Sequence, residues 1–478
     1  MKASVQSDAL VFFGATGDLA HKKVLPALYA LVKAGSLRVP VIGVGRTTWT
    51  LSQFRQRVKS AITDAGGVDD SKAFERLMAQ LRYVQGDSSD EATFAALKLA
   101  LDGIRHPAFY LATPPALFAG VIKHLAAAGL AKHARLIIEK PFGNDLASAR
   151  ALNRVARAAF PEDSIFRIDH FLGKEPVENI LYTRFANSFL EPIWNCDHIA
   201  SVQITLGENF GVEGRGRFYD ATGCLRDVVQ NHLFQIVALL AMDRPASLET
   251  ATIRREKAKL FRAIRPLVPH DLVRGQFRGY RSEPGVAADS DVETFCALKL
   301  HIESRRWEGV RWHLRAGKNL AHTVTEVLVR LTPPAAALFA DHAAASKDAN
   351  YLRFRISPDP AIALAARVKR IGEAFIGDQR ELYLLERGTG EESAYERLIG
   401  DAMVGNGALF TGERTVEAAW AVVEPILSHH GRSQPYEIGS WGPKGTNRLI
   451  APDRWNDPAE TDHPRAVHEA MGTTRAVR

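Results

Sequence analysis

A histidine and an aspartate that are far apart in the sequence could together carry an acid–base reaction. His232 ends the segment RDVVQNH (226–232), and Asp169 lies in the segment RIDHFLGKE (167–175). Histidine, with an unperturbed pKa of about 6.5, suits a general base, and a carboxylate partner raises its proton affinity. Such a pair could take a proton from a substrate hydroxyl group. A core histidine and a capping aspartate are the structural alternatives.

Three cationic side chains lie in segments that could bind an anionic group such as a phosphate. His170 and Lys174 are four residues apart in RIDHFLGKE, and Lys140 lies in the segment EKPFG. A phosphate dianion calls for converging cations that donate charge-assisted hydrogen bonds. Lys140 could bind and position substrate oxygens. Lys174 could also be an ordinary surface lysine.

A glycine turn near the start could bind a pyrophosphate. The segment FFGATGDLA (12–20) follows the apolar run Ala9–Phe13 and opens a stretch of helical periodicity. Glycines let the backbone approach a pyrophosphate, and amide groups at the start of a helix favour its charge. The spacing is G-x-x-G, not G-x-G-x-x-G, so its meaning depends on this strand–turn–helix context. The residues assigned here to cofactor binding are Gly14, Thr16, Gly17, Asp18, Leu19 and Lys22.

The residues after the second apolar strand indicate the type of dinucleotide. The run 39–44 is followed by Gly45, Arg46 and Thr47. A site that prefers NAD usually has an acid here for the ribose 2′-hydroxyl, whereas a guanidinium can bind the 2′-phosphate of NADP. Arg46 and Thr47 therefore favour NADP. A surface arginine that happens to follow a strand is the alternative.

The first third of the chain predicts a parallel sheet that would position these residues. Apolar runs such as 108–112 and 136–138 alternate with helical stretches such as 18–32. Fully buried strands that alternate with helices are typical of a doubly wound α/β domain. We predict a Rossmann-like NADP-binding domain over residues 1–175.

The pattern changes in the rest of the chain. In 295–303, 325–331 and 352–356, apolar residues alternate with polar or small ones. This period of two is typical of antiparallel strands with one buried and one wetter face. We predict an α+β substrate and oligomerisation domain over 176–450, with a large, mainly antiparallel sheet and helices on one face, and a loosely ordered tail over 451–478. The helical stretches expected on that face are 225–243, 392–404 and 413–427.

Composition excludes several classes of protein. The 478 residues, 46% apolar and 24% charged, suit a globular protein of two or three domains. The net charge of +7 is spread along the chain without a nucleic-acid module, so no nucleic-acid partner is predicted. No apolar stretch approaches the roughly 20 residues that cross a bilayer, and we read no signal peptide. The three distant cysteines suggest neither a metal site nor disulfides, which suits the cytoplasm.

The order and spacing of four motifs resemble the glucose-6-phosphate dehydrogenase family. The resemblance runs from about residue 8 to about residue 445. It implies oxidation of glucose 6-phosphate at C1 to 6-phospho-glucono-1,5-lactone with hydride transfer to NADP, the first step of the oxidative pentose phosphate pathway. It also implies a homodimer or homotetramer. The motifs are GATGDLA, EKPFG, RIDHFLGKE and RDVVQNH, with flanking stretches that include RFANSFLEPIWN, GVEGRGRFYD and AYERLIGDAM.

The resemblance implies a role for each matching residue. His232 would be the base, and Asp169 would orient it and stabilise its charged form. Lys140 would lie between sugar and cofactor, before a cis Pro141. His170 and Lys174 would bind the phosphate. The other residues implied to bind substrate are Glu208 and Asp227, through sugar hydroxyls, and Lys318.

Three positions depart from the family pattern. His21 stands where lysine is common, so phosphate charge would be met by Lys22 or Arg46. Phe171 replaces a commoner tyrosine, and Thr323 stands where many members have a second lysine after Lys318. One substrate contact is therefore missing or supplied elsewhere.

Two other functions compete with this interpretation. An oxidoreductase acting on an unphosphorylated sugar could also combine a dinucleotide domain with an open sheet and an EKP motif, but it would lack RIDHFLGKE. A catalytically silent NADP-binding sensor would not need Asp169, His232 and Lys140. At the level of single residues, Asp227 and Asn231 are four apart on a predicted helix and could merely pair with each other.

Overall fold

The computed structural model describes residues 5–334, 350–372, 375–385 and 393–458. Most of the tail predicted over 451–478, from residue 459 onward, lies outside these residues. The strands are β1 (Ala9–Phe13), β2 (Val41–Gly45), β3 (Leu81–Gln85), β4 (Pro107–Leu111), β5 (Arg135–Glu139), β6 (Ile165–Ile168), β7 (Ile199–Gly207), β8 (Leu272–Phe277), β9 (Phe295–Leu300), β10 (Arg311–Gly317), β11 (Val324–Leu331), β12 (Tyr351–Ser357), β13 (Ala361–Lys369), β14 (Gly377–Leu385) and β15 (Gln434–Tyr436).

Two π-helices, Ala20–Val24 and Leu225–Leu233, carry candidate site residues. The α-helices are α1 (Leu25–Lys33), α2 (Leu51–Asp64), α3 (Ser71–Gln80), α4 (Glu91–Ala100), α5 (Phe118–Ala127), α6 (Leu146–Ala159), α7 (Glu175–Ala186), α8 (Gly216–Cys224), α9 (Phe234–Ala241), α10 (Thr250–Ala263), α11 (Ala394–Val404), α12 (Glu413–Ser428) and α13 (Thr446–Ile450).

The chain divides into two compact units, and both are discontinuous in sequence. The first unit consists of described residues within 1–174, 245–258 and 390–420, and the second of those within 175–244, 259–389 and 421–458. The contiguous domains 1–175 and 176–450 remain a prediction beside this division.

The first unit is built on a six-stranded parallel sheet of order β3-β2-β1-β4-β5-β6. All five residues of β1 are buried, as expected of a strand covered on both faces. This order is that of the doubly wound dinucleotide-binding fold, in which ligands bind outside the carboxyl ends of the strands. The predicted Rossmann-like sheet is confirmed.

Helix α11 belongs to the first unit and not to the face of the second sheet, so its predicted placement is wrong. Leu398, Ile399 and Ala402 are buried in one hydrophobic cluster with Leu28 and Leu31 of α1. The apolar periodicity of 392–404 indicates a buried helix face but not its partner. The chain returns to its N-terminal unit to supply this helix.

The second unit is built on a nine-stranded sheet of order β14-β13-β12-β11-β7-β10-β9-β8-β15. The pairs are antiparallel except β7–β10 and β8–β15. Helix α7 contacts β12, and the π-helix Leu225–Leu233 contacts β9 and β10. The mainly antiparallel α+β sheet predicted from the alternating strands is confirmed.

The polar face of this sheet is shielded from solvent where charged residues of β11 and β12 alternate with apolar ones. Arg355 and Glu326 are both almost fully buried, and Arg355 Nη2 lies 3.0 Å from Glu326 Oε2. Asn456 Nδ2 donates to Glu326 Oε1 at 2.9 Å. The expectation of a wetter face is therefore wrong here, because an alternating pattern does not reveal that its charged residues neutralise each other beneath a further layer of the protein.

Residues 451–458 pack against β10, which differs from the loose attachment expected of the tail. Asp453 Oδ2 accepts from Arg311 Nε at 2.6 Å and lies 3.2 Å from His313 Nε2. The guanidinium of Arg315 lies 4.7 Å from the ring centroid of Trp455. Low apolar periodicity did not reveal these contacts, since most of them are polar.

Candidate active site

The glycine turn after β1 has a conformation that requires glycine. Gly14 has φ = +81°, and a Cβ atom there would lie 2.3 Å from the carbonyl oxygen of Ala112. The amides of Gly14 and Ala15 both donate to the carbonyl oxygen of Val44. The turn is thereby held between the carboxyl ends of three neighbouring strands, β2, β1 and β4.

The helix after this turn presents open amide groups. The amide of His21 donates to the carbonyl oxygen of Gly17 at 3.1 Å, the first helical bond of this segment. The N–H groups of Asp18, Leu19 and Ala20 therefore lie in the first turn, where a helix has no internal acceptor for them. Amides and helix dipole fit a pyrophosphate, so a dinucleotide is compatible with this cradle.

The remaining candidates near this turn are Thr16 and Lys22, and their side-chain contacts are as follows. Thr16 packs against Gly45, where a Cβ atom would lie 2.9 Å from its methyl group. Lys22 Nζ lies 3.7 Å from Asp18 Oδ2, and both side chains are exposed. His21 Nε2 lies 2.8 Å from Asp64 Oδ2. His21, which replaces a lysine in the family pattern, is thus paired with an acid.

Arg46 and Thr47 lie at the end of β2, in a loop that is tied at both sides. Thr50 starts α2 with reciprocal hydrogen bonds to Gln53, which fixes the end of the loop. The hydroxyl of Tyr83 donates to the carbonyl oxygen of Thr47 at 2.6 Å. Arg46 Nη1 lies 3.9 Å from Asp87 Oδ2 in the turn after β3.

Lys140 and Asp169 follow two paired strands directly. Glu139 of β5 is in register with Ile168 of β6, so the two candidates lie at the same edge of the parallel sheet. The Lys140–Pro141 peptide bond is cis, as the resemblance implied. Asp169 is 1% exposed, and its Oδ1 accepts from the amide of Phe171 at 3.0 Å.

His170 and Lys174 belong to the compact turn that follows Asp169. The ring of His170 is nearly parallel to that of Tyr395, at 13° and 6.4 Å between centroids. Lys174 Nζ lies 4.1 Å from the ring centroid of Phe171. An aromatic face attracts an ammonium group, so Phe171, which lacks the hydroxyl of tyrosine, still contacts the candidate phosphate ligand.

A buried carboxyl group beside Lys140 was not anticipated from the sequence. Burial raises the pKa of Glu139 to about 7, although hydrogen bonds from Tyr110 and Tyr395 act in the opposite direction. Tyr110 donates to Glu139 Oε1 at 2.5 Å. Tyr110 lies in the apolar run 108–112, Glu139 begins EKPFG and Tyr395 lies in AYERLIGDAM, so the sequence contained all three residues but did not show that they meet.

Lys257 is a second buried charge that sequence reasoning missed. It is 3% exposed on α10. Burial lowers the pKa of its ammonium group to about 8, against the opposing effect of the negative charge of Asp169. Lys257 is one of two lysines in the charged segment RREKAKLFR, and nothing in that segment indicates that it is buried.

In the second unit, Glu208 and Lys318 form an ion pair at the ends of parallel strands. Gly207 of β7 is in register with Gly317 of β10, so the two candidates are neighbours. Lys318 Nζ lies 2.7 Å from Glu208 Oε2. The same ammonium group lies 5.0 Å from the ring centroid of Phe210 and 5.2 Å from that of Tyr219. Its position is therefore defined by a carboxylate and two aromatic faces.

Thr323 occupies the position of the second family lysine with a neutral hydrogen-bonded pair. Its hydroxyl donates to Asn209 Oδ1 at 2.6 Å and accepts from the amide of Asn209 at 3.0 Å. Asn209 directly follows Glu208. The pair supplies hydrogen-bonding groups beside the candidate substrate residues without adding positive charge.

Asp227 and His232 share a π-helix of nine residues, Leu225–Leu233. In an i→i+5 helix, residues five apart are close along one face, and such segments occur frequently at functional sites. Asn231 Nδ2 donates to the carbonyl oxygen of Arg226 at 3.0 Å. The side-chain amide of Asn231 thus contacts the backbone of its own helix. His232 is 4% exposed.

Two protein-family models match almost the whole chain. The model described as "Glucose-6-phosphate dehydrogenase, NAD binding domain" matches residues 11–179, and that described as "Glucose-6-phosphate dehydrogenase, C-terminal domain" matches residues 181–456. The chain belongs to the glucose-6-phosphate dehydrogenase family. The family expected from the four motifs is thereby confirmed.

Curated relatives agree over nearly their full length. Glucose-6-phosphate 1-dehydrogenase 1 of Mycobacterium tuberculosis is 41% identical over 458 residues, which are 95% of this chain and 97% of the relative. Glucose-6-phosphate 1-dehydrogenase of Bacillus subtilis is 37% identical over 493 aligned residues, covering 95% and 100%.

Solved structures agree as well. A crystal structure of glucose-6-phosphate 1-dehydrogenase from Mycobacterium avium has a TM-score of 0.87 at 42% identity and covers 95% of this chain and 99% of its own. A glucose-6-phosphate dehydrogenase in complex with glucose 6-phosphate has a TM-score of 0.88 at 32% identity and covers 96% and 100%. A 3-ketoreductase from Actinomadura kijaniata, at 14% identity and a TM-score of 0.51, shares only the fold. None of the described helices has the length and apolarity that a membrane span requires.

Proposed function

We propose that this chain oxidises glucose 6-phosphate at C1 to 6-phospho-glucono-1,5-lactone with NADP as hydride acceptor, the first step of the oxidative pentose phosphate pathway. The observation that carries the proposal is the match to the relative solved with glucose 6-phosphate, at a TM-score of 0.88 over 96% of this chain. The candidate residues of both units support it, because each has the chemistry that this oxidation requires.

The first unit would hold the cofactor. Gly14 and Gly17 would give a pyrophosphate access to the backbone, and the amides of Asp18 and Leu19 would bind its charge. Arg46 would bind the 2′-phosphate that distinguishes NADP from NAD. When bound, the nicotinamide supplies the acceptor for the hydride of C1.

His232 would be the general base. The hydrogen on C1 would leave as a hydride with the electron pair of its bond. At the same time the proton of the C1 hydroxyl would pass to the imidazole, and the C1–O bond would become the lactone carbonyl. A carboxylate that accepts from the other ring nitrogen fixes the imidazole and stabilises its charged form. The family resemblance gives this role to Asp169. One of its carboxylate oxygens is fixed by a hydrogen bond from the backbone amide of Phe171.

The remaining candidates would bind and place the sugar. His170 and Lys174 supply positive charge for the 6-phosphate. Glu208, Asp227 and Lys318 supply acceptors and a donor for hydroxyl groups, and Lys140 would lie between the sugar and the cofactor. Binding energy at the remote phosphate can hold C1 in a reactive position.

The experiment uses glucose 6-phosphate that carries deuterium at C1. The purified protein with NADP should raise the absorbance at 340 nm, and the deuterium should appear in the reduced cofactor. Unlabelled glucose 6-phosphate should react faster if hydride transfer limits the rate. Reduced cofactor without deuterium would contradict oxidation at C1.

We also propose a homodimer or homotetramer in the cytoplasm. The support is the family resemblance for the assembly and the three cysteines, all free thiols, for a reducing compartment. Light scattering behind size-exclusion chromatography should give two or four times the chain mass of 52.6 kDa. A mass of one chain at micromolar concentration would contradict the assembly.

A further inference from the structure

The carboxylate of Asp87 lies beside the guanidinium proposed to recognise NADP. Arg46 follows β2, and Asp87 lies in the turn after the neighbouring strand β3. Arg46 Nη1 and Asp87 Oδ2 are 3.9 Å apart. In dinucleotide-binding sheets, an acid at the end of the second strand serves NAD and an arginine there serves NADP. This edge of the sheet has both an arginine, Arg46 after β2, and an acid, Asp87 after β3.

Asp87 is held in place by its own turn. Its Oδ1 accepts from the amide of Ser89 at 2.9 Å and from the Ser89 hydroxyl at 2.7 Å. Its carbonyl oxygen accepts from the Thr93 hydroxyl at 2.7 Å. The turn is tied to β2 by a 2.9 Å bond from the Gly86 amide to the Gly45 carbonyl oxygen. The hydrogen bonds from Ser89, followed by the charge of Arg46, lower the pKa of Asp87, so it is ionised at neutral pH.

Arg46 is the partner that can move. Its side chain is 82% exposed, against 42% for that of Asp87. A guanidinium at this distance can turn from the carboxylate to an arriving phosphate. The carboxylate cannot follow without losing its bonds to Ser89, so it stays near the incoming negative charge.

We propose that Asp87 is a specificity-determining residue for the cofactor. It holds Arg46 before binding, opposes the 2′-phosphate of NADP, and accepts a hydrogen bond from the ribose 2′-hydroxyl of NAD. The inference rests on the proposed function, because it requires the adenosine ribose to bind at Arg46. Asp87 thus reduces the preference for NADP that Arg46 provides.

The direct test is the affinity of Asp87→Asn for both cofactors, measured by calorimetry without sugar. Exposed charge pairs contribute up to about 1 kcal/mol, which is about fivefold in affinity. The variant should bind NADP about two- to fivefold more tightly and NAD about two- to fivefold more weakly. High salt should reduce the gain for NADP, since it screens exposed charges.

Asp90→Asn is the matched control. It removes the same charge three residues later, and asparagine retains the capping of α4 that Asp90 provides through the amide of Ala92. Its ratio of the two dissociation constants should stay near that of the wild type. Equal changes of this ratio in Asp87→Asn and Asp90→Asn would overturn the proposal.

A double-mutant cycle with Arg46→Ala separates this proposal from the proposed function. Arg46→Ala alone should weaken NADP much more than NAD. The gain for NADP from Asp87→Asn should shrink in the Arg46→Ala background, because releasing Arg46 is part of that gain. If Arg46→Ala behaves as expected but Asp87→Asn leaves the ratio unchanged, only the role of Asp87 is wrong. If Arg46→Ala weakens both cofactors equally, Arg46 does not recognise the phosphate and both assignments fail.

Discussion

At the scale of single residues, His232 is the assignment with the largest chemical consequence. It is buried on a π-helix, and a positioned general base contributes about 10²- to 10⁴-fold to a rate. His232→Asn should therefore lower kcat at least about 10²-fold and leave NADP affinity and unfolding near those of the wild type. His270→Asn is the control, since the His270 side chain is 80% exposed. Near-normal turnover of His232→Asn would refute the assignment.

Lys174 should be required for the phosphate and not for the chemistry. Lys174→Ala should lower kcat/KM for glucose 6-phosphate by roughly 10- to 10³-fold, or about 1.4–4 kcal/mol, and scarcely change a slow activity on glucose. We expect the upper part of this range, because the neutral pair of Thr323 and Asn209 adds no compensating charge.

The control for Lys174 is Lys132→Ala, a change at an exposed lysine of the same unit. It should leave both substrates unaffected. A proportional loss on glucose and glucose 6-phosphate in Lys174→Ala would mean that this lysine supports the structure of the site and is not the phosphate ligand.

Sequence motifs predicted candidate residues for the chemistry but not the residues that contact and position these candidates. Glu208 and Lys318 were candidates before their 2.7 Å ion pair was visible. Glu139 was not, because one of its partners, Tyr395, lies more than 250 residues away in the chain. Contacts of this kind depend on the return of α11 to the first unit, and no local pattern encodes that return.

At the scale of elements, the glycine turn after β1 gives a matched pair of substitutions. Gly14 and Gly103 both have φ = +81°, but only at Gly14 does an added Cβ atom meet a backbone oxygen, at 2.3 Å. A non-glycine residue in this conformation costs about 1–3 kcal/mol by itself. Gly14→Ala should therefore lose more unfolding free energy than Gly103→Ala and should also lose NADP affinity. Equal losses of stability and cofactor affinity in both variants would contradict the close packing of this turn.

The free energy of unfolding should depend on pH because of Glu139, the buried residue at the end of β5. Its folded pKa of about 7 exceeds the ordinary value of 4.5, so its contribution to stability is fully present below about 4.5 and is lost as the pH rises through 7. Glutamine cannot ionise and can keep the hydrogen bonds of the two tyrosines. The unfolding free energy of Glu139→Gln relative to the wild type should rise by about 1–3 kcal/mol between pH 5 and pH 8.

Chemical unfolding at several pH values measures this difference. Glu75→Gln, an exposed change in the same unit, is the control and should show little dependence on pH. A difference for Glu139→Gln that is constant from pH 5 to pH 8 would contradict the raised pKa of the buried carboxyl group.

Apolar spacing predicted several strands of each sheet, whereas the π-helix could not be recognised from it. Residues 225–243 have helical periodicity, and the change from four- to five-residue bonding leaves that pattern nearly intact. The change matters for Asp227 and His232, which are five apart. Hydrogen bonds to residues outside the helix, such as that from the Leu225 amide to Glu293 Oε1 at 3.1 Å, are among the interactions that the segment itself does not reveal.

At the scale of the whole molecule, the two kinds of strand pattern correctly separated a parallel sheet from a mainly antiparallel one. The pattern did not show that residues 245–258 and 390–420 group with the first unit. Nor did it show that Arg355 and Glu326 form a buried ion pair, because a charged residue is expected at the surface unless its ion-pair partner can be identified. Long-range pairing, and not local propensity, determines both features.

The measurement that tests the account most directly compares kcat/KM for four combinations, NADP or NAD with glucose 6-phosphate or glucose. The account predicts the highest value for NADP with glucose 6-phosphate, a large loss on glucose with either cofactor, and a smaller loss with NAD. We expect the first loss because His170 and Lys174 are the proposed phosphate ligands, and the second because Arg46 is the proposed ligand of the 2′-phosphate. Equal kcat/KM values for glucose and glucose 6-phosphate, or no activity in any combination, would contradict it.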